Sequence, residues 1–386
     1  MVGRDRGGIQ VVAVTVVRGA AWRRWLAVGV GAVIVAVLPV AVNAWPARVP
    51  ASDVALLAAR VRASTGQTYQ GYALSSATAG LPALPRLGDV IDLLNGDTRL
   101  RVWYASAARW RVDVLDAAAE RDTYQLSDRQ VVWDYNGGQL TEIDGVPPVR
   151  LPRGADLVPP DLARRLLAAG DPVSPLPPKR VAGIDAAGLR ITPSSPYTTI
   201  GHVDIWAEPG TGLPLEVAVT ARGAVAPILV SRFLEVSLSA PADTVLTPPP
   251  VRPWIGYTVI DSADLEQVLA GRRFGPLPQR LAGQPRTSTA PADLTGVATY
   301  GTGLTQFVVL SVPSQVGFDA MRRATRGGGT RLTFPDGDGV LIATSLLSVL
   351  AMDAHPVRRN YLLAGLVDAA LLRQAGVELS SYRGPE

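Results

Sequence analysis

Hydrophobic and polar positions alternate most regularly in residues 202–220, where two apolar runs flank a short turn. Val203 and Ile205 lie on one side before the turn, and Val217 and Val219 lie on the same side after it. This period of two predicts a β-hairpin with one side packed against a core.

The turn of this hairpin has suitable chemistry. Pro209 fits the first central position of a tight turn, and Gly210 and Gly212 allow the positive φ that short hairpin loops need. Trp206 is out of phase with the valines, so it lies on the opposite side. We therefore expect both sides of this sheet to be covered.

Short alternating runs recur from residue 97 to residue 145, which is typical of an antiparallel meander. Aliphatic and aromatic residues dominate one face, and arginine and acidic residues dominate the other. A first strand is predicted at 67–76, and the strands of the meander are 99–104, 109–114, 122–126, 130–135 and 139–143. Later strands are predicted at 179–184, 189–192, 228–238, 331–334 and 340–352, with two strand-like pieces within 297–312.

Apolar residues at helical spacing predict several helices. Ser52 would cap the first, within 50–64, and an amphipathic flap is expected at 80–96. Further helices are predicted at 161–169, 261–273, 316–326 and 360–374, and residues 171–178 suggest a rigid extended connector.

Composition divides the chain into five segments, with a run of prolines at 248–250 as the main boundary. We expect a basic cytoplasmic segment at 1–25, a transmembrane helix or signal sequence at 26–44, a β domain at 45–246, a proline-rich linker with a short helix at 247–291 and a smaller α+β domain at 292–386.

Residues 26–44 carry no charge and, at about 1.5 Å per residue, are long enough to cross a bilayer core. The preceding arginines orient the N-terminus to the cytoplasm. Pro39 and the small-residue pattern ending at Ala44 also fit a signal-peptide cleavage site. We expect export, and both a retained single-pass anchor and a cleaved signal stay open.

Among the 386 residues, 47% are hydrophobic and 18% are charged, which excludes disorder throughout the chain. The first 24 residues contain five arginines and one aspartate, and they account for the net charge of +4. The neutral remainder argues against nucleic acid binding. The absence of cysteine excludes disulfides, thiolate metal sites and a lipidated N-terminal cysteine.

Few residues suggest catalysis. His202 and His355 have no serine or acid at a recognisable catalytic spacing. We expect the acidic residues of the meander to form a solvated face rather than a general acid and base, and these residues are Asp113, Asp116, Glu120 and Asp122. We therefore predict a protein that is not an enzyme and that uses no cofactor and no metal.

The hairpin resembles that of the LolA-type lipoprotein carriers, and in particular of the MucB/RseB family of sigma-factor regulators. The matching residues are Trp206, Pro209, Thr211, Gly212, Leu213 and Pro214. Trp133 and Tyr135 match a second strand of that family, and residues 341–367 are similar to the tail of exported actinobacterial proteins that carry this domain.

The resemblance implies an α+β fold: a curved antiparallel half-barrel with a helical lid, and a smaller C-terminal α+β domain. An acyl chain would bind to the concave face, which Leu100, Val102, Tyr104, Trp110, Val112, Val114, Tyr124 and Leu126 would line. The lid would consist of Leu87, Val90, Ile91 and Leu94. In an ordinary β-sandwich these side chains would be packed core, and this alternative stays open.

We thus predict a non-enzymatic extracytoplasmic binding protein that holds an acyl chain of a lipid or lipoprotein. It would act as a carrier or as a lipid-sensing sigma-factor regulator, with a membrane anti-sigma factor or an ABC transporter as its partner. The alternative is a regulator that binds an anti-sigma factor without any lipid. The N-terminal helix would attach the chain to the membrane unless cleavage releases it.

Overall fold

The computed structural model describes residues 22, 25–32, 47–49, 53–80, 88–116, 119–145, 152–168, 170–261, 276–287, 296–355 and 359–384, with 88–90 described for the backbone only. Residues 1–46 and 47–386 form two separate compact units. In the first unit, residues 25–32 are helical, and the remainder of the predicted segment 26–44 lies outside the described residues. None of the helices in the described ranges has the length and apolar character needed to cross a membrane.

The second unit contains a twelve-stranded sheet. Its strands are β1 Tyr69–Ala77, β2 Asp97–Ser106, β3 Arg109–Leu115, β4 Glu120–Gln125, β5 Arg129–Asp134, β6 Gln139–Asp144, β7 Val173–Val181, β8 Ile184–Ile191, β9 Ile200–Ala207, β10 Pro214–Ala221, β11 Leu229–Ser237 and β12 Gly256–Asp261. The order across the sheet is β12-β6-β5-β4-β3-β2-β1-β11-β10-β9-β8-β7. Only the β12–β6 pair among these is parallel.

Two meanders make up this sheet, and the pairing of β1 with β11 joins them. The register of this pair runs from Gln70 opposite Ser237 to Ala77 opposite Leu229, with a bulge at Tyr72 and Ala73. Gly71 lies beside the bulge, where a Cβ would come within 2.3 Å of the Glu235 carbonyl oxygen. Glycine is therefore required for the two backbones to approach this closely.

Three helices pack on one face of the sheet, which we call the inner face: α1 Val54–Ala63, α2 Gly88–Asn95 and α3 Pro159–Leu167. Asp53, and not the predicted Ser52, caps α1, because its carboxylate accepts a hydrogen bond from the Ala55 N–H at 2.8 Å. Prolines occupy the first turn of α3, where no N–H partner is lost.

The predicted hairpin is formed by β9 and β10, with Val217 opposite Ile205 and Val219 opposite Val203. In its turn, the Glu208 carboxylate accepts hydrogen bonds from the N–H groups of Gly210 and Thr211 and from the Thr211 hydroxyl. Burial opposes ionisation of this carboxyl, but these bonds hold the pKa of Glu208 below its usual value. The turn also accepts a hydrogen bond at the Pro209 carbonyl from Arg60 of α1.

Trp206 lies on the outer face of the hairpin, as its phase predicts. Its indole N–H donates to the Pro177 carbonyl, and the ammonium of Lys179 lies 4.7 Å from its ring centroid and 2.6 Å from Glu216 Oε1. Pro177 and Lys179 belong to β7, so the expectation of a connector at 171–178 is wrong for most of its length. Prolines are tolerated there because β7 is an edge strand.

A second sheet follows in the C-terminal part of the chain. Its strands, in the order β15-β16-β20-β19-β18-β17, are all antiparallel. They are β15 Val297–Tyr300, β16 Phe307–Val312, β17 Thr330–Phe334, β18 Gly337–Ala343, β19 Ser348–Ala354 and β20 Arg359–Gly365, and a small ladder of β13 Arg280–Leu281 with β14 Gln284–Pro285 precedes them.

Helices α4 Ser314–Arg326 and α5 Ala369–Ser381 cover opposite faces of this second sheet. Ala324 of α4 packs on Val340 and Ile342, whereas the apolar side of α5 packs on the face that carries Leu341 and Leu350. Alternate residues of β18 thus serve different helices.

The expected helix at 360–374 is wrong. Its first half is strand β20, and the helix begins after Asp368, whose carboxylate accepts from the Leu371 N–H at 2.8 Å. Tyr361 and Leu363 are two residues apart in β20, so both side chains lie on the same face of the sheet and are buried in its core. The predicted helix at 261–273 lies outside the described residues apart from Asp261, which ends β12.

Direct hydrogen bonds join the two sheets. The Thr199 N–H donates to the Leu366 carbonyl at 3.1 Å, the Asp368 N–H donates to the Tyr197 carbonyl at 2.8 Å, and the Thr199 hydroxyl donates to the Leu346 carbonyl at 2.6 Å. Leu346 also packs into the core of the large sheet. The predicted fold class, an antiparallel α+β half-barrel with a smaller α+β part, is confirmed.

Replacing Gly212 by alanine tests the contact between the hairpin turn and α1. Gly212 has φ +73°, and a Cβ would lie 2.4 Å from the Arg60 carbonyl carbon. We expect backbone strain of about 1–2 kcal/mol and a further ~1–3 kcal/mol from overpacking, measured by chemical denaturation. Gly223→Ala is the matched control, because Gly223 has φ +79° and open space, and it should show only the strain. Equal losses in the two variants would contradict the contact.

Candidate functional site

Six of the eight residues predicted to line the acyl site lie together on the inner face. Val102 pairs with Val112, Leu100 with Val114 and Tyr104 with Trp110 across β2 and β3. We call these six residues the inner wall. Leu100, Val102 and Val112 are 0%, 1% and 3% exposed, so the wall is covered.

The chain's own residues cover the inner wall. A Cβ on Gly154 would lie 2.2 Å from Val114 Cγ2 and 3.4 Å from Leu100 Cδ2, so the short 3-10 helix Gly154–Leu157 rests directly on the wall. Tyr104 stacks on Tyr69 with ring centroids 4.9 Å apart, and its hydroxyl donates to the Thr65 carbonyl. The wall is thus packed core here.

Helix α2 corresponds to the predicted lid and packs near β1 and β2. Ile91 and Leu93 are buried in the same core as the inner wall, and Leu94 packs against it. Leu87 and the side chain of Val90 lie outside the described residues. Among the four predicted lid residues, the structure thus places Ile91 and Leu94 in or against the core that contains the wall.

The structure does not bring Tyr124 and Leu126 to the inner wall. Thr123 is the residue of β4 that pairs with Val112, so Tyr124 points to the outer face. Tyr124 and Leu126 form a separate small core with Val131 and Leu140. Asp122 and Tyr124 lie on one face of β4, and the residues on its other face are also polar. The alternation of apolar and polar residues therefore could not show which face of the sheet Tyr124 occupies.

A buried ionic network lies on the outer face of β3 and β4. Arg111 donates to both oxygens of Asp113 at 2.6 and 2.8 Å, and to Asp122 Oδ2 at 2.8 Å. Its guanidinium lies 5.0 Å from the ring centroid of Trp103 and 4.9 Å from that of Tyr124, one on each neighbouring strand. The aromatic rings and the two carboxylates together fix the position of this cation.

Asp113 and Asp122 face each other across β3 and β4 and are 1% and 5% exposed. Burial, with the Asp113 charge as a second cause, raises the pKa of Asp122 to about 7. Burial also raises the pKa of Asp113, against the opposing effect of Arg111. An oxygen of Glu120 lies within 4.8 Å of oxygens of both residues.

The expectation of a solvated acidic face at these residues is wrong for Asp113 and Asp122. Val245 and Leu246 cover this part of the outer face: the Val245 carbonyl accepts from Arg111 at 3.4 Å, and Leu246 is buried. Arg111 already supplies the counter-charge, so we interpret the network as an ion-paired cluster rather than a metal site.

A second group of titratable residues lies in the C-terminal sheet. Asp338, Asp353 and His355 bring ligand atoms within 4.8 Å of one another. Asp353 Oδ1 accepts from the Asp338 N–H at 2.7 Å, and His355 Nε2 lies 3.3 Å from Asp353 Oδ2. Asp338 and His355 are exposed. The contacts within the group give these polar side chains their partners, so we interpret the group as a polar end of the strands.

Strand β12 is an edge of the large sheet with an unusual surface. It carries or adjoins five large apolar side chains that are 40–74% exposed, namely Val251, Trp254, Tyr257, Val259 and Ile260. We call these five residues the edge patch. Gly256 pairs with Gln139 of β6 and donates its N–H to the carbonyl of Gly138, which directly precedes β6. Thr258 and Ile260 therefore also face β6, whereas Tyr257 and Val259 direct their backbone groups outward. In the described ranges, no strand pairs with this outward side.

The opposite edge of the sheet differs. Strand β7 contains Pro175, Pro177 and Pro178, which lack the N–H group that a further strand would need. Strand β12 contains no proline. Only one of the two edges is thus blocked against strand addition.

Truncating Leu100 and Leu126 separately tests the division between the two faces. Leu100→Ala opens a cavity in the main core and should lower the free energy of unfolding by about 2–5 kcal/mol. Leu126→Ala removes a partly buried side chain from the small outer core, and its cost should be roughly 1 kcal/mol. Urea denaturation of both variants measures the difference, and a larger cost for Leu126 would contradict the assignment.

No family profile matches the chain, and no curated protein matches it either. Solved structures do match. The complex of MucA with MucB from Pseudomonas aeruginosa shares 17% identity and a TM-score of 0.48, over 84% of this chain and 97% of the matched one. A second structure, MucB in complex with MucA(peri), shares 15% identity and a TM-score of 0.47 over the same shares.

A LolA superfamily protein from Nitrosomonas europaea also matches, with 12% identity and a TM-score of 0.25, over 51% of this chain and 99% of that protein. The strand order, the register and the placement of the helices within this chain define its fold. The solved structures that it resembles include those of MucB and of a LolA superfamily protein, the two kinds that the hairpin residues predicted.

Proposed function

We propose that this chain is an extracytoplasmic binding protein that regulates by gripping an extended segment of a membrane-anchored partner, of the kind that an anti-sigma factor presents. The edge patch carries this proposal. It combines outward backbone donors and acceptors on β12 with exposed apolar side chains on the same strand. An extended peptide adds to such an edge through backbone hydrogen bonds and gains affinity from the side chains.

The state of the inner wall supports a partner without lipid over a resident acyl chain. Leu100 and Val102 are already buried to 0% and 1% exposure by residues of this chain. An acyl chain would therefore have to displace residues that cover the wall, such as the 3-10 helix Gly154–Leu157, and then compensate for the contacts that are lost. The peptide needs no such rearrangement, because the edge of β12 is accessible.

Removing an outward N–H from β12 tests the peptide proposal. A photo-crosslinking amino acid at Tyr257, in the full chain expressed in its native membrane, should trap one membrane protein with an extracytoplasmic segment. Val259→Pro removes the outward N–H without breaking the pairing with β6 and should abolish this product. Val259→Ala keeps the N–H and should retain most of it.

Loss of the product in both variants would assign binding to the Val259 side chain alone. Retention of the product in the proline variant would contradict strand addition. Identification of the trapped protein by mass spectrometry decides whether it is an anti-sigma factor, a transporter component or another class of protein.

Binding of an acyl chain is the second candidate function. One observation favours it: α2 is eight residues long, and it can leave the wall without breaking any strand pairing of the large sheet. A lid of this kind would expose the inner wall to a lipid or lipoprotein chain. The carrier function, with an ABC transporter as partner, belongs to this candidate.

Native mass spectrometry with lipid extraction separates the two candidates. An acyl-binding protein should carry stoichiometric lipid, and Ile91→Asp combined with Leu94→Asp should remove it while the β12 crosslink persists. A protein that carries no lipid and takes up no added fatty acid, yet still gives the proline-sensitive crosslink, would leave only the peptide function.

A further inference from the structure

The outer-face network holds more negative than positive charge. Within the described ranges, Arg111 is the one cation with an ion pair to the buried pair, and it faces the two carboxyl groups of Asp113 and Asp122. Both carboxyl groups are at least nine-tenths buried. With both ionised, the pair would keep a surplus negative charge away from water, which is costly in a protein interior.

The hydrogen bonds within the network are unevenly distributed. Both Asp113 oxygens accept from Arg111, and Asp122 Oδ2 accepts from Arg111 and, at 3.4 Å, from the Tyr124 hydroxyl. Asp122 Oδ1 is buried and has no hydrogen-bond partner in the described part of the chain. A buried carboxylate oxygen without a donor is the position at which a proton is most favourable.

The other charges that face this pair do not balance it. On the neighbouring strand, Arg101 lies opposite Asp113 but is exposed, and Glu120 adds a further negative charge. Trp133, opposite Asp122, is uncharged. From the covering segment, Asp243 pairs with Arg109 at 3.5 Å, and Val245 contributes only its carbonyl.

We propose that Asp113, Asp122 and Arg111 form a proton-binding site, in which Asp122 carries the proton and its release to solvent loosens the cover formed by the 3-10 helix Asp243–Leu246. A neutral Asp122 leaves one carboxylate for one guanidinium. Ionisation places a second charge under Val245 and Leu246, and opening of the cover readmits water to that charge. The proposal is independent of whether β12 binds a partner.

The pH window follows from the pKa difference between the folded and unfolded chain. The pKa of Asp122 rises from an ordinary 3.8 to about 7, with burial as the first cause. Its contribution to stability is therefore fully present below pH 3.8 and is lost as the pH rises to about 7. Between these values the native chain keeps a proton that the unfolded chain has released.

Asp122→Asn tests the site in the full chain. The ratio of the unfolding constant of the wild type to that of the variant should rise by up to about tenfold per pH unit between pH 4 and 7, and then level off. Asp134→Asn is the control on the next strand. Backbone hydrogen bonding from Gly137 lowers the pKa of Asp134, so its ratio should stay flat over this range.

Two further measurements cover the case in which the variant does not fold. Carboxyl 13C NMR of the wild type should show one aspartate that titrates near pH 7. Hydrogen exchange of residues 243–246, corrected for its intrinsic pH dependence, should accelerate between pH 6 and 8. A flat ratio for Asp122→Asn, or NMR showing that every aspartate titrates below pH 5, would overturn the proposal.

Discussion

The pairing of β1 with β11 is the constraint on which the rest of the second unit depends. Without it the large sheet would be two separate meanders, each with one apolar face and two open edges. Gly71 permits the close approach at the bulge, and Ala73 and Ser75 of β1 are fully buried at this seam. The two faces of the sheet can be covered differently only because the sheet is continuous.

The inner and outer faces solve the problem of burial in different ways. The inner face buries aliphatic and aromatic side chains under helices, so it is stabilised by the removal of apolar surface from water. The outer face near β3 buries charge, which is tolerated because Arg111 bonds to two carboxyl groups and stacks between two aromatic rings. The apolar packing of the inner face tolerates a change of side-chain shape, whereas the ionic network of the outer face depends on charge balance and therefore on the pH of the solution.

Local patterns in the sequence predicted local structure well. The hairpin was recognisable because the alternation around Val203 and Val217 and the Pro209 turn agree with each other. Two failures share a cause. Apolar residues at 361–363 fit a strand and a helix equally, and Tyr124 could face either way, because each depends on partners more than seven residues distant along the chain. The contact of Arg111 with the Val245 carbonyl is beyond any local signal, since more than a hundred residues separate them.

Lys179 has a consequence for the covalent chemistry of the protein. It is the single lysine in a chain that uses arginine for every other long basic side chain. Guanidinium groups do not take part in the acylation, glycation or isopeptide reactions of primary amines under ordinary conditions. The one side-chain amine is engaged by Glu216 and lies over Trp206. Among the side chains, amine-directed modification is therefore confined to Lys179, and a label on a side-chain amine would report from one known place on β7.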